Sequence, residues 1–147
     1  MMPEQVAIVL AGVDRLRPRM EEVADDFYAR LFARHPELRP LFSADIALQR
    51  RKFADELELI VRAIPDFGSF VERARHLGAR HAAHGVRVAS YAQVRAVLFE
   101  AIGQALGDDW TEETEAAWGS AYTLITETML LGAARPATRG TLRGRGR

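Results

Sequence analysis

The sequence lacks cysteine altogether, and it lacks any long apolar run. Without cysteine the chain forms no disulfide bond, thiolate nucleophile or zinc–cysteine site, and this composition favours a reducing compartment. No apolar stretch approaches the ~20 residues that a membrane-spanning helix needs. The N-terminus also lacks the basic-then-apolar layout of a signal peptide. We therefore expect a cytoplasmic protein with no membrane span.

Neither sign of charge dominates, since 20 basic residues balance 20 acidic ones. This balance gives no general attraction to nucleic acid or to a membrane surface. The charge is unevenly spread, however. Residues 135–147 carry five arginines and no acid, which leaves 15 basic and 20 acidic residues, a net charge of −5, in residues 1–134. We expect residues 1–134 to form one domain and the Arg/Gly-rich residues 135–147 to form a flexible tail.

Alternating strand patterns are missing, and helical periodicity runs through most of the chain. Apolar residues recur at the i, i+3, i+4, i+7 spacing of one buried helix face, as in Val6, Val9, Val13 and Leu16. Prolines and glycines separate the periodic segments. This pattern predicts an all-α domain of about seven helices joined by short loops.

Residues of the usual capping types mark several helix ends. Ser43 or Asp45, Ser90 and Thr111 precede periodic segments and are candidates for N-caps, since their side-chain oxygens accept from free backbone N–H groups. Gly85 and Gly107 follow periodic segments and are expected to end them. These positions predict where three of the helices begin and where two of them end.

One histidine stands in a distinctive setting, in the segment ARHAAHGV at residues 79–86. A neutral imidazole is a common ligand of metals, haem iron included, so His81 is a candidate ligand. An isolated histidine on a helix is nevertheless more often a structural residue than a ligand. His84, one turn on, shares a similar helix face and is a rival, whereas His76 points well away.

Three blocks of sequence give this histidine a context. The first is FYARLFARHPELRPLF at residues 27–42, and the second is residues 79–86 followed by Tyr91. The third combines LGDDW at residues 106–110 with AWGSAY at residues 117–122. In this order and at these spacings, the blocks closely resemble bacterial single-domain globins and the globin half of flavohaemoglobins. The resemblance implies a globin fold around a haem pocket.

The resemblance also implies a role for individual residues. His81 would be the single protein ligand of a non-covalent haem b (iron protoporphyrin IX), and covalent attachment through cysteine is excluded. Phe42 would pack flat on the porphyrin, Tyr28 would donate a hydrogen bond on the distal side, and Tyr91 would lie behind His81. The remaining residues expected around the haem are Lys52, Phe53, Leu57, Leu77, Arg80 and Val94.

The distal amide position is ambiguous from the sequence. An alignment without a gap puts the usual distal glutamine position at Lys52, and a corner three residues shorter puts it at Gln49. We choose Gln49, because its separation from His81 then matches the family and Phe53 falls at the apolar position one turn on. Lys52, the only lysine in the chain, would then lie near the haem edge, where it or Arg80 pairs with a propionate.

A haem pocket of this kind is expected to bind O2 reversibly, together with other diatomic ligands such as NO. The alternative is an NO dioxygenase, with electrons from a separate flavin/NAD(P)H reductase because the chain ends at residue 147. A haem-based gas sensor is a third hypothesis, disfavoured because no output domain follows. In flavohaemoglobins a glutamate supports the proximal histidine, and the corresponding position here is Ala133, which argues against strong peroxidase-like chemistry. The sequence does not separate a monomer from a homodimer.

Overall fold

The computed structural model describes the backbone of residues 1–145 and the side chains of residues 1–134. The described residues form six α-helices and no strand, which confirms the all-α prediction. The helices are α1 (Pro3–Leu16), α2 (Met20–Arg34), α3 (Ile46–Ala63), α4 (Phe67–Ala83), α5 (Val88–Leu106) and α6 (Glu112–Arg145). Three short 3₁₀ helices, Arg17–Arg19, Pro36–Leu41 and Gly107–Asp109, connect them.

The helix ends are mostly where the capping residues predict them. Of the two candidates for α3, Asp45 and not Ser43 is the cap, since the Asp45 side chain accepts from Leu48 N at 3.1 Å. Thr111 Oγ1 accepts from Thr114 N at 3.2 Å before α6. Gly85 follows α4 with φ +89°, and Gly107 follows α5 with φ +56°, so both glycines adopt a conformation that other residues rarely reach. These four predictions are confirmed.

The prediction for Ser90 is wrong. Helix α5 begins two residues earlier, at Val88, and the extended Arg87 occupies the cap position. Ser90 lies inside the first turn and is buried, with 7% of its surface exposed. The helix begins at the exposed Val88 without a side-chain cap. A prediction based on the usual capping residues therefore places the start of α5 too late.

Helices α4 and α6 approach each other unusually closely. A Cβ atom built on Gly78 would lie 1.8 Å from the carbonyl oxygen of Met129, and one built on Gly132 would lie 1.9 Å from that of Arg75. Such contact requires a glycine in each helix, because any side chain would overlap the opposing backbone. The crossing therefore fixes the position of α4, the helix that carries His81.

The predicted division between a domain and a tail stays a prediction. Residues 146–147 and the side chains of residues 135–145 lie outside the part of the chain that the structure describes. Within the described part, no helix is both long enough and apolar enough to cross a bilayer.

Candidate functional site

A cavity of about 370 Å³ lies between helices α3 and α4. This volume is in the range of about 300–1,000 Å³ that is usual for pockets that bind small molecules. The 3₁₀ helix before α3 and the loop after α4 complete its wall. Its lining residues are Leu41, Phe42, Gln49, Lys52, Phe53, Asp55, Glu56, Leu77, Arg80, His81, His84 and Val86.

Most of the residues singled out from the sequence meet at this cavity. Seven of them line it: Phe42, Gln49, Lys52, Phe53, Leu77, Arg80 and His81. Four do not: Tyr28 is buried in α2 behind the wall, while Leu57, Tyr91 and Val94 are half-buried and pack against the core. The structure thus brings together segments that are up to about 40 residues apart in the sequence.

Some lining residues were not expected from the sequence. Asp55 and Glu56 follow Phe53 in α3 and look like part of a solvated helix face when only the sequence is considered. Their spacing carried a signal, since Glu56 is one turn after Phe53 and such residues share a helix face. Leu41 and Val86 lie outside the α-helices, where periodicity makes no prediction.

The geometry of His81 determines which of its nitrogens is available. Its Nδ1 lies 2.9 Å from the carbonyl oxygen of Leu77. A carbonyl oxygen only accepts, so Nδ1 carries the hydrogen and Nε2 keeps its lone pair. Burial lowers the pKa of His81, and the bond to Leu77 offsets part of this effect. The side chain is therefore a neutral imidazole whose Nε2 can ligate a metal.

His84 is a closer rival of His81 than its position in the sequence suggests. It also lines the cavity, and its Nδ1 lies 2.8 Å from the carbonyl oxygen of Arg80. His84 is exposed at the C-cap of α4, however, whereas His81 is half-buried within the helix. His76 is exposed and does not line the cavity. The more enclosed position of His81 distinguishes it from both.

Tyr28 and Gln49 form a polar pair that joins α2 to α3. Gln49 Nε2 lies 3.2 Å from the hydroxyl oxygen of Tyr28, and Gln49 Oε1 accepts from Ser43 N at 3.0 Å. Since the backbone N–H of Ser43 only donates, the oxygen of the Gln49 amide must face it, and the NH2 group must then donate to Tyr28. The hydroxyl hydrogen of Tyr28 remains free to donate elsewhere.

Burial keeps the Tyr28 phenol protonated. It raises the pKa of Tyr28 to about 12, although the hydrogen bond from Gln49 works in the opposite direction. The Tyr28 ring packs edge-on against two cavity-lining rings, with centroids 5.4 Å from Phe42 and 5.7 Å from Phe53. Phe27 stacks on Phe53 with the ring centroids 4.6 Å apart, and it packs edge-on against Tyr28 at 4.9 Å. This aromatic cluster holds Tyr28 directly behind the cavity wall.

A single arginine shapes the corner that carries Phe42. Arg39 Nη1 donates to the carbonyl oxygen of Ser43 at 2.9 Å and to that of Phe42 at 3.4 Å. Its guanidinium also lies over the Phe32 ring, 5.1 Å from the centroid. These contacts tie the backbone of the corner to α2 and orient Phe42 toward the cavity.

Charged side chains of both signs surround the cavity. Arg80 Nη2 donates to Glu56 Oε1 at 2.9 Å, which links α4 to α3. Lys52 and Asp55 are exposed. The other oxygen of Glu56, Oε2, is buried and accepts no hydrogen bond from any described residue. The sequence leads us to expect a propionate partner for Arg80, and in this structure its partner is Glu56.

Tyr91 and Val94 belong to the packing of α5 on the rest of the molecule. The Tyr122 hydroxyl of α6 donates to the carbonyl oxygen of Tyr91 at 2.6 Å. This bond involves the backbone of Tyr91 and not its phenol. Burial also raises the pKa of the Tyr91 hydroxyl. The two tyrosines therefore join α5 to α6 in the region that the sequence assigns to the proximal side.

These residues fit a haem. One neutral imidazole nitrogen is free to ligate iron, and Phe42, Phe53 and Leu77 offer apolar surface for a porphyrin. Two basic side chains, Lys52 and Arg80, line the same cavity and suit carboxylates. The chemistry of the lining residues thus suits a tetrapyrrole with two propionates.

Comparison with known proteins places the site in a family context. A family model described as Globin matches residues 25–129. The chain is 33% identical over 122 residues to a flavohemoprotein of Rhizobium meliloti, which covers 78% of this chain and 29% of that protein. It is 29% identical over 131 residues to a flavohemoprotein of Bordetella pertussis, covering 87% and 33%. The chain therefore spans about a third of the length of these relatives.

Solved structures agree with this result. An engineered carbene transferase, made from a putative nitric oxide dioxygenase of Rhodothermus marinus, is 28% identical with a TM-score of 0.80, covering 97% of this chain and 99% of that one. A bacterial globin from Campylobacter jejuni is 24% identical with a TM-score of 0.82, covering 93% and 99%, and shows the likeness of fold alone. From the family-model match and this architecture, the chain belongs to the globin family.

Proposed function

We propose that this globin binds haem b through His81 and uses it to bind O2 reversibly, together with other diatomic ligands such as NO. Family membership, a cavity lined by apolar and basic side chains, and a neutral histidine facing it support this proposal. Haem, when bound, supplies an iron that takes a diatomic ligand and leaves the outer atom of bound O2 partly negative.

On the proximal side the chain supplies and orients one nitrogen. The Leu77 carbonyl holds the hydrogen of His81 on Nδ1, so Nε2 is the nitrogen that would ligate iron. A carbonyl partner makes the imidazole less basic than a carboxylate partner would. The residue at the position of the family glutamate is Ala133. We infer that His81 acts as an ordinary neutral donor, which favours the ferrous, ligand-binding state over strongly oxidising chemistry.

On the distal side the observation that carries the proposal is the orientation of Gln49. Its amide oxygen accepts from Ser43 N and its NH2 group donates to Tyr28, so Gln49 does not use the phenol hydrogen, which would be available to a ligand. A hydrogen bond from a buried phenol to a partly negative oxygen exceeds the ~1 kcal/mol of a neutral bond. The pair therefore favours slow release of O2.

NO dioxygenation is the second candidate, with a specific observation in its favour. The curated relatives are flavohemoproteins, and one similar structure derives from a putative nitric oxide dioxygenase. In this candidate the same pocket would hold O2 when NO enters, and a flavin/NAD(P)H reductase would supply the electrons. Tyr28 and Gln49 would hold and polarise O2 before it reacts with NO.

Absorption spectra and NO consumption test the two candidates together. Purified protein loaded with haem should give distinct ferric, ferrous and O2-bound spectra, and the O2 form should persist for minutes if the protein is a carrier. NO should then be consumed over many turnovers only when a reductase and NAD(P)H are supplied. Failure to form a stable O2 complex would contradict both candidates. Catalytic NO consumption at a high rate would favour the dioxygenase.

A further inference from the structure

The ion pair between Glu56 and Arg80 joins the two helices that wall the cavity. Glu56 Oε1 accepts from Arg80 Nη2 at 2.9 Å. Within the described residues it is the only ion pair between α3 and α4, since the other ion pairs of α3 with different elements run to Asp14, Arg17 and Asp25. The pair therefore belongs to the cavity and not to the general packing of α3.

Glu56 depends on Arg80 for compensation of its charge. Its Oε2 atom is buried and accepts no hydrogen bond from a described residue, so the carboxylate receives its one charged partner through Oε1. A partly desolvated carboxylate with too few donors is unfavourable. Asp55, the preceding residue, lines the same cavity but is exposed and solvated. Of these two neighbouring acids, Glu56 is thus stabilised by the ion pair with Arg80, whereas Asp55 is stabilised by solvent.

Arg80 is also one of the two basic residues other than histidine that line the cavity, the other being Lys52. Iron protoporphyrin IX carries two propionates, and a guanidinium is well suited to pair with one of them. A guanidinium already bonded to Glu56 has fewer donors left. The negative charge of Glu56 also repels a second carboxylate that approaches the same group.

We propose that Glu56 is an internal competitor of the haem propionates for Arg80, and that this competition speeds the loss of haem from the pocket. The inference rests on the proposed haem binding. On this proposal, Glu56 lowers the affinity for a tetrapyrrole with free carboxylates and leaves the affinity for an esterified tetrapyrrole unchanged.

Transfer of haem to excess apomyoglobin measures the rate of loss. Glu56→Gln should lose haem about tenfold more slowly than the wild type, because Arg80 becomes free to pair with a propionate. Glu72→Gln is the matched control, since it removes the same charge from an exposed residue of α4, the helix that carries Arg80, and Glu72 does not line the cavity. It should stay within about twofold of the wild type. An equal slowing in both variants, or faster loss from Glu56→Gln, would overturn the proposal.

A metal-free porphyrin separates the carboxylate effect from any change in packing. By fluorescence titration, Glu56→Gln should bind protoporphyrin IX about tenfold more tightly than the wild type and bind its dimethyl ester with unchanged affinity. In an Arg80→Ala background the Glu56→Gln substitution should have no effect on either ligand. A gain of the same size for the ester, or in the absence of Arg80, would show that packing is responsible.

The outcomes also distinguish this inference from the proposed function. A wild-type protein that takes up neither haem nor porphyrin would contradict haem binding itself. A wild type that binds haem normally, with Glu56→Gln indistinguishable from it, would contradict only the role of Glu56. If Glu56→Gln does not fold, Glu56→Asp withdraws the carboxylate from Arg80 by one methylene and should slow haem loss in the same direction.

Discussion

At the scale of single residues, the candidate site depends on how polar groups are oriented. His81 and Gln49 each have one side-chain atom occupied by a backbone group, Leu77 O and Ser43 N respectively. In both cases the backbone partner decides which atom remains available, since a carbonyl only accepts and an N–H only donates. Two backbone contacts therefore determine the chemistry presented on the two walls of the cavity.

Replacement of His81 tests the proximal assignment. His81→Ala should abolish stable uptake of haem or make it depend on added imidazole, because no other enclosed imidazole lines the cavity among the described residues. His84→Ala is the control and should keep a normal absorption spectrum, since His84 is exposed at the end of α4. Normal haem uptake by His81→Ala with altered spectra in His84→Ala would reverse the assignment.

Replacement of Tyr28 tests the distal donor. Tyr28→Phe removes a hydrogen bond of about 1.5–3 kcal/mol to a partly charged acceptor, so O2 dissociation should accelerate by roughly 10- to 100-fold. Stopped-flow release of O2 measures the rate. Gln49→Ala should act in the same direction, and Lys52→Ala should leave the rate within about twofold, because of these two described residues it is Gln49 that donates to Tyr28. A Tyr28→Phe rate equal to that of the wild type would leave Tyr28 with a packing role alone.

At the scale of helices, the position of α4 depends on its contact with α6. Gly78 and Gly132 bring the two backbones together near Arg75 and Met129, within a few residues of Leu77 and His81. A shift of α4 at this crossing would move His81 relative to the α3 wall. The helix pair is therefore part of the site, although neither glycine lines the cavity.

Alanine substitution at the crossing tests this dependence. Gly78→Ala should destabilise the fold by about 3 kcal/mol or more, because the new Cβ would overlap the Met129 carbonyl. Gly68→Ala lies in the first turn of the same helix, where the nearest atom would be 4.0 Å away. This control should be neutral or stabilising by up to about 1 kcal/mol, as expected for alanine against glycine in a helix. Urea unfolding compares the two, and equal stabilities would refute close contact at Gly78.

At the scale of the whole molecule, burial raises the pKa of all three tyrosines of the chain. It raises the pKa of Tyr28 to about 12 and also raises the pKa values of Tyr91 and Tyr122 above 10. The folded protein thus retains phenolic protons that the unfolded chain releases near pH 10. Stability from this source is fully present below pH 10 and is lost as the pH rises toward 12.

An alkaline titration tests this property. The tyrosinate absorbance of the folded protein should rise well above pH 10, whereas in denaturant it should rise near pH 10. The free energy of unfolding should fall over the same interval. In Tyr28→Phe, about a third of the late absorbance change should disappear, since the chain has three tyrosines. Titration of all three near pH 10 in the folded protein would contradict their burial.

The sequence by itself determined the features that depend on near neighbours along the chain. Helical periodicity, the caps at Asp45 and Thr111 and the glycine ends were predictable, because each involves contacts within one or two turns. The hydrogen bond from His81 to Leu77 is of the same kind, since it spans four residues of one helix. Ser90 shows the limit, because its side chain is buried in the first turn of α5 and the helix begins at Val88 without a side-chain cap.

Only the tertiary structure decided which side chains meet across helices. Gln49 and Lys52 lie three residues apart, and both line the cavity. Because α2 packs against α3, it is Gln49 that forms the hydrogen bond with Tyr28. The same holds for Glu56, whose partner is 24 residues away. Composition and periodicity report which face of a helix is buried. The distance and angle at which two helices cross depend on the side chains of both helices. At Gly78 the close crossing is possible because this residue has no side chain.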